Sequence, residues 1–324
     1  MTKSATIFSP SREPLSLAAL VLPQASILEV ASVLDPLRSA NRHLGEERFR
    51  WRVVSHDGQA VPLTCGIELP STGPLASAEG ADALVVIAGF RQYEVATRAL
   101  IRDLRRIAPR FRAIGGVDAG GWVLARAGLL DGHRATVHWE DHEDLAAAHP
   151  AVDVVHDRYV ISGPRFTAGG AAPAADLMLH LIRARCGPAL ALQVAASFIT
   201  VARDGAEPQS SLPVPDRNLD PRVAAAIARM EARIDTPEPA ARTARALGLS
   251  TRRLEGLFQE NLGTTPGQHG LDLRLQAARR MLVDTRHPVQ EVALRTGFSS
   301  PSAFARAFRR RFGISPLDAR RAVA

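Results

Sequence analysis

With 324 residues the chain is too long for one small core and suits two domains. Its composition, 46% hydrophobic and 23% charged, is that of an ordinary globular protein, and its longest apolar runs, such as 15–23 and 83–90, fall far short of the ~20 residues that span a bilayer, which excludes a helical membrane protein. The net charge of +7 is confined to one end: residues 216–324 hold 19 Arg against 11 Asp plus Glu, whereas residues 1–215 are almost balanced.

Along the chain, residues 15–22 read first as a buried strand. The same stretch follows Lys3 and Arg12 as the apolar part of a signal peptide would, but Glu13 and Pro14 interrupt the basic region. Residues 27–44 read as a helix that Pro36 starts late or kinks. Residues 49–55 and 61–63 flank a His56-Asp57-Gly58 turn, as in a hairpin. A strand is expected over 83–88, then helical spacing over 95–108, then a strand over 112–117 that leads through Asp118 into a helix over 120–128. Such alternation predicts an α/β domain, a mostly parallel sheet in a flavodoxin-like sandwich, over 1–203.

Residues 204–220, rich in Pro, Ser, Asp and Gly, read as a linker. Beyond them strand signals stop: residues 221–234 are helical and short helices punctuated by Gly and Pro follow, so an all-α domain is expected over 221–324. Cys65 and Cys186 cannot build a disulfide framework, and neither they nor His133 and His142 show metal-ligand spacing. The expectation is a cytoplasmic protein with reduced thiols, no metal and no cofactor.

Lys3 is the only lysine. The basic residues of the last third are all Arg, whose planar fork suits phosphate oxygens and base edges, so a basic domain on a neutral one points to nucleic-acid binding plus a separate duty. Two segments there share one pattern, ARTARALGLSTRRLEGLFQENLG over 241–263 and VQEVALRTGFSSPSAFARAFRRRFG over 289–313. Each holds an amphipathic helix, a Gly turn (Gly248, Gly297), a capping Ser (Ser250, Ser300) and a second helix that ends at Gly. This is a helix-turn-helix, and it occurs twice.

In the second copy Phe304, Phe308 and Phe312 recur every four residues and form a core stripe with Ala307. The opposite face carries Ser302, Arg306, Arg309 and Arg310. On an isolated helix that is a solvated face; on a second helix after a Gly turn it is the face that enters a major groove. Arg306 is expected at a base edge or nearby phosphate, Arg309 and Arg310 at phosphates. In the first copy Leu254, Leu257 and Phe258 point inward, while Arg252, Arg253, Gly256 and Gln259 point outward. Gly256 costs ~1 kcal/mol of helix stability relative to Ala and offers DNA no side chain, which makes this the weaker reading head.

These motifs, with GTTPGQHGLDLRLQAARRML between them, resemble the AraC/XylS family of transcription regulators over about 221–321. The family usually has Arg at the position of Gly256, and an aromatic then an apolar residue where His269 and Gly270 stand. The resemblance implies that a long helix, here 271–283, joins the heads rigidly so that both enter successive major-groove faces.

In the first domain RAIGGVDAGGWVLARAG, 112–128, has the shape of a nucleophile elbow, which exposes one side chain on a strained turn beside free helix N–H groups. A catalytic elbow needs Cys or Ser there; this chain has Asp118, which cannot do thiol chemistry. LDPLRSAN (34–41), DAGGWVLARAGLL (118–130), ATVHWE (135–140) and TAGGAAPAADLML (167–179) resemble the PfpI-like, type 1 glutamine amidotransferase-like domain of GlxA-type AraC regulators, over about 14–203. Enzymes of this fold carry Cys at the elbow, so the resemblance implies a sensor that keeps the pocket without the chemistry. Within the subgroup the Gly116-Val117-Asp118 and His138-Trp139-Glu140 combination is similar to regulators of quaternary-amine and arginine catabolism.

Asp118, Glu29, His138, Trp139, Glu140 and Trp122 are therefore the expected ligand residues, since carboxylates and indole faces together suit a cationic amine. Three of them have a plainer reading as well: Asp118 as a helix cap, Trp122 as core, His138 as a satisfied buried histidine. The expected protein is a ligand-responsive transcription regulator that binds promoter DNA, forms a homodimer and, as an activator, meets RNA polymerase. The alternative is a PfpI-like amidase or glyoxalase-type enzyme with a DNA-binding appendage, and a further one is a first domain that only dimerises.

Overall fold

The computed structural model describes residues 6–207, 209, 219–285 and 287–321. It forms two compact units, Met1–Gln209 and Ser210–Ala324.

The first unit runs β1 (Leu15–Val21), α1 (Ile27–Leu44), β2 (Phe49–Val54), β3 (Val61–Pro62), β4 (Glu68–Leu69), β5 (Ala83–Ala88), α2 (Gln92–Val95), α3 (Arg98–Ile107), β6 (Ala113–Asp118), α4 (Gly120–Arg126), β7 (Arg134–Ala135), α5 (His142–Ala148), β8 (Asp153–Val154), β9 (Tyr159–Ser162), β10 (Arg165–Ala168), α6 (Ala171–Cys186) and α7 (Pro188–Ser197). Six strands make one sheet in the order β2-β1-β5-β6-β10-β9, parallel except for the β10–β9 pair. Side-chain alternation divides each strand between two cores. Leu17, Ala19 and Val21 of β1, with Val85 and Ile87 of β5, meet α1, α6 and α7. Ala18 and Leu20, with Leu84 and Val86, meet α3 and α4. Burial on both faces is why these strands read as continuous apolar runs.

Three local expectations are corrected. Residues 49–55 and 61–63 are not a hairpin: β2 pairs in parallel with β1, Thr72 N–H donates to Val53 C=O on its other side, and β3 pairs with β4 instead. The 56–58 turn bends the chain locally, through Gln59 N–H on the Asp57 carboxylate, without setting a strand register. Pro36 does not delay the helix. Ser26 and Glu29 form a reciprocal capping box that starts α1 at Ile27, and α1 continues through a buried Pro36 to Gly45. The helix placed at 95–108 begins at Arg98, where the Thr97 hydroxyl accepts Leu100 N–H.

The second unit is helical: α8 (Pro221–Glu231), α9 (Ala240–Ala246), α10 (Thr251–Leu262), α11 (Pro266–Asp284), α12 (Val289–Arg295), α13 (Pro301–Phe312) and α14 (Pro316–Arg321). It has two small cores. Val223, Ile227, Leu254, Leu257 and Phe258 make one; Leu282, Val292, Phe298, Phe304 and Phe308 make the other. Helix α11 starts five residues earlier than the sequence suggested. It gives Leu273 to the first core and Leu275, Ala278 and Leu282 to the second, so one rigid element is shared by both heads. His269 packs edge-on to Phe258 at 5.6 Å, which fills the junction left by the missing aromatic.

Residues 208 and 210–218 of the expected linker lie outside the described residues. Its beginning belongs to the first unit: Arg203 N–H donates to the Asp176 carboxylate, Arg158 N–H to Gly205 and Glu207 carbonyls, and Gln209 N–H to His156 C=O. Among the described residues no helix is long and apolar enough to cross a membrane.

Candidate ligand site and nucleic-acid interface

Among the described residues four non-glycine residues have positive φ, and three of them stand just past the C-terminal ends of neighbouring strands: Gln24 (65°) after β1, Arg91 (59°) after β5 and Asp118 (55°) closing β6. Left-handed backbone costs ~1–3 kcal/mol per such residue and persists where the surroundings hold it, typically at ligand clamps. The carboxyl edge of a parallel sheet is also where such folds bind ligands. The elbow is held by close docking of α4. A Cβ on Gly120 would fall 2.0 Å from Val86 C=O, and one on Gly116 would fall 2.6 Å from the backbone of Gly120. The glycines of the GGVDAGG run therefore press the helix start against β5 and β6, and Asp118 is forced up into the turn.

Two carboxyls meet there. Glu29, 5% exposed in the first turn of α1, hydrogen-bonds the Asp118 side chain and accepts Ser26 N–H at 3.2 Å. Burial, then the neighbouring Glu29 charge, holds the Asp118 carboxyl well above the usual carboxylate range, and burial also raises Glu29. Each carboxyl thus resists ionisation. His138 faces the pair closely enough to oppose part of the Asp118 shift, and Ala119 N–H donates to Asp118. The structure thus brings Asp118, Glu29 and His138 together. The Ser26-x-x-Glu29 capping box was the sequence signal that would have placed Glu29 in the first turn of its helix.

The other three expected residues fare differently. Trp139 is half-buried with its ring 5.7 Å from that of His138, and Glu140 lies 3.7 Å from His138 Nδ1. Trp122 is core: 2% exposed, it packs edge-on against Tyr93 and His149 in the cluster beneath α3 and α4. The Trp122 expectation is corrected on that ground, since Gly120 faces β5 and Trp122, on another side of α4, is covered by Tyr93 and His149. Sequence reasoning missed a second polar cluster beside His138. His142 Nδ1 lies 2.7 Å from His156 Nδ1, and burial first, then His156, pushes the His142 pKa down to about 4. Among the described residues no group of His, Cys, Asp or Glu is arranged to hold a metal.

In the second unit both helix-turn-helix motifs form as read. Gly248 (69°) and Gly297 (70°) take the left-handed turn, and Ser250 and Ser300 cap α10 and α13 by accepting Arg253 and Ala303 N–H at 3.2 Å. Phe304 and Phe308 are fully buried, and their rings step to Phe312 at 5.5 and 4.6 Å. That packing leaves Ser302, Arg306, Arg309 and Arg310 exposed on α13, and Arg252, Arg253 and Gln259 exposed on α10. Arg253 lies 3.8 Å from Glu260, and Ser302 meets Ser300 at 3.3 Å. Arg311 is turned back to Asp272 of α11 at 3.1 Å. Arg274 of the same helix donates to Thr296 and Gly297 carbonyls, both at 2.7 Å, and lies 4.2 Å over the Phe298 ring. Helix α11 therefore clamps the second head at its turn and at the end of α13.

An α/β unit with a strained elbow, followed by two helix-turn-helix heads with arginine-bearing second helices, defines a DNA-binding transcription regulator. The DJ-1/PfpI family matches residues 18–184, and a helix-turn-helix domain family matches residues 243–322. The chain is 37% identical over 303 residues to the HTH-type transcriptional regulator CdhR of Pseudomonas aeruginosa, covering 93% of this chain and 90% of that one. It is 32% identical over 316 residues to the HTH-type transcriptional regulator GlxA of Rhizobium meliloti, covering 97% and 98%. Among solved structures, an AraC family transcriptional regulator from Pseudomonas putida aligns at 30% identity with a TM-score of 0.51, over 57% of this chain and all of that one. The chain belongs to the AraC-type HTH transcriptional regulators that carry an N-terminal DJ-1/PfpI unit.

Proposed function

We propose that the first unit senses a small organic cation at Asp118, Glu29 and His138, and that occupancy sets how the second unit binds promoter DNA through α13 and, more weakly, α10. The observation that carries this reading is the meeting of buried Glu29 with half-buried Asp118 at the strained elbow. Two adjacent carboxyls that each resist ionisation favour a positive charge placed beside them, and a cationic ligand supplies one. A quaternary amine or an arginine-like compound has that chemistry. Trp139 and Glu140 border the same group and supply an indole face and a second carboxylate. Asp118 stands where a thiolate would be needed for turnover, so the site is read as a sensor and not an enzyme. With this reading go a homodimer, contact with RNA polymerase when the regulator activates, and a cytoplasmic location.

The test is a thermal-shift panel on the full chain with carnitine, glycine betaine, choline, arginine and neutral sugars, with Asp118→Ala in parallel. At 100 times its dissociation constant a ligand stabilises the unit that binds it by ~2.7 kcal/mol. A shift confined to cations and lost in Asp118→Ala supports the reading. Flat curves, or a shift that survives the substitution, refute it.

A further inference from the structure

Beyond residues 203–207, Gln209 makes a contact that has the form of a ligand in a site. The Gln209 side-chain nitrogen lies 2.8 Å from Thr136 Oγ1, 2.7 Å from Val137 C=O, 3.0 Å from Asp157 C=O and 3.4 Å from His142 Nε2. Thr136 is wholly buried and His142 is 2% exposed. Gly169 leaves the space open, since a Cβ there would fall 2.0 Å from that nitrogen. The Thr136 hydroxyl donates to Asp157 C=O at 2.8 Å, which frees its lone pair for a donor in the socket. With that hydrogen spent on Asp157, the 3.1 Å contact of Thr136 Oγ1 with His142 Nε2 is made by an Nε2–H donor, and His142 Nδ1 accepts from His156.

Three acceptors, Thr136 Oγ1, Val137 C=O and Asp157 C=O, thus converge on one nitrogen, yet a carboxamide nitrogen carries only two hydrogens. The socket offers more acceptors than its occupant can use. An ammonium group brings three hydrogens and a guanidinium brings five, whereas a quaternary ammonium brings none.

We propose that this socket is a binding site for a primary ammonium or guanidinium group, and that Gln209 is its internal placeholder, evicted when such a ligand enters. Gln209 is the last residue of the first unit. The socket wall is also the wall of the elbow. A Cβ on Gly121, three residues past Asp118, would fall 2.5 Å from the Val137 side chain, and His138 follows Val137 directly. The proposal goes beyond cation sensing at Asp118 and does not require it.

The experiment is calorimetric titration of the full chain with methylguanidinium and ethylammonium, using tetramethylammonium as the control without N–H groups. Apparent affinity is multiplied by the fraction of molecules in which the placeholder is out. A socket closed in nine molecules of ten predicts about tenfold tighter binding of both N–H cations to Gln209→Ala, with tetramethylammonium unchanged. Adding Gly169→Ala to that variant should abolish the gain. In the wild-type chain, saturating methylguanidinium should accelerate hydrogen exchange over 203–209. Equal affinity of wild type and Gln209→Ala, or no binding to either, overturns the proposal, as does an unchanged exchange rate. Asp118→Ala in the Gln209→Ala background separates the two sites: binding that persists belongs to the socket, and binding that disappears belongs to the elbow and overturns the placeholder.

Discussion

Arg274→Ala tests whether the second head is held from behind by α11. The substitution removes two hydrogen bonds from a guanidinium to carbonyl oxygens, each 2.7 Å, and a cation over the Phe298 ring at 4.2 Å. Hydrogen bonds from charged groups contribute ~1.5–3 kcal/mol each, and the ring contact ~1 kcal/mol. Against this stands the desolvation of Arg274, which burial marks by lowering its pKa. The net loss is about 3 kcal/mol, confined to the second unit. All three Trp (Trp51, Trp122 and Trp139) lie in the first unit, so indole fluorescence should unfold at an unchanged urea midpoint while the helical circular dichroism transition moves down. Promoter affinity should fall with no change in its salt dependence, because Arg274 touches protein and not phosphate. A loss under ~1 kcal/mol would refute the clamp. A salt slope shallower by ~0.9 would make Arg274 a phosphate contact instead.

Three further outcomes are expected. Arg306→Ala should cost ~1–3 kcal/mol of promoter affinity and relax preference at one base position in a sequence-selection assay; uniform weakening across sequences would assign it to a phosphate. Gly256→Arg meets nothing within 4 Å of its new Cβ, so it should stabilise α10, raise affinity and steepen the salt slope by ~0.9. An unchanged slope would place the first head off the duplex. His142, with its pKa down at about 4 against an ordinary 6.5, stays neutral in the folded unit while the unfolded chain takes up a proton. Stability is therefore lost as pH falls from about 6.5 to about 4, by at most ~3 kcal/mol from this group. His138, His156, Thr136 and Gln209 surround it, and the raised Glu29 and Asp118 pull the pH dependence the opposite way. The measurement is thus the difference in urea midpoint between wild type and His142→Gln at pH 7 and pH 4.5, and parallel curves would refute the assignment.

The helix-turn-helix heads were legible in the sequence because everything that makes them is local. Gly248 and Gly297 take positive φ within a few residues of Ser250 and Ser300, which cap the next helix, and the Phe304–Phe308–Phe312 spacing sets which face is buried and so which arginines stay outside. The elbow was equally legible, since a strand, a Gly-rich turn and a helix within 17 residues leave Asp118 one place to stand. Tertiary structure decided what contact across the chain decides. It sent β2 to pair with β1 in place of β3, because a two-residue strand cannot compete with a full parallel register. It put Trp122 in the core, since Tyr93 and His149 close over it from other parts of the chain. It brought Glu29 from the first helix to Asp118, 89 residues later, and seated Gln209 beside Thr136. Caps, turns and periodicity act over a few residues and can be read in order; the burial that raises a carboxyl's pKa exists only once distant segments have closed over it.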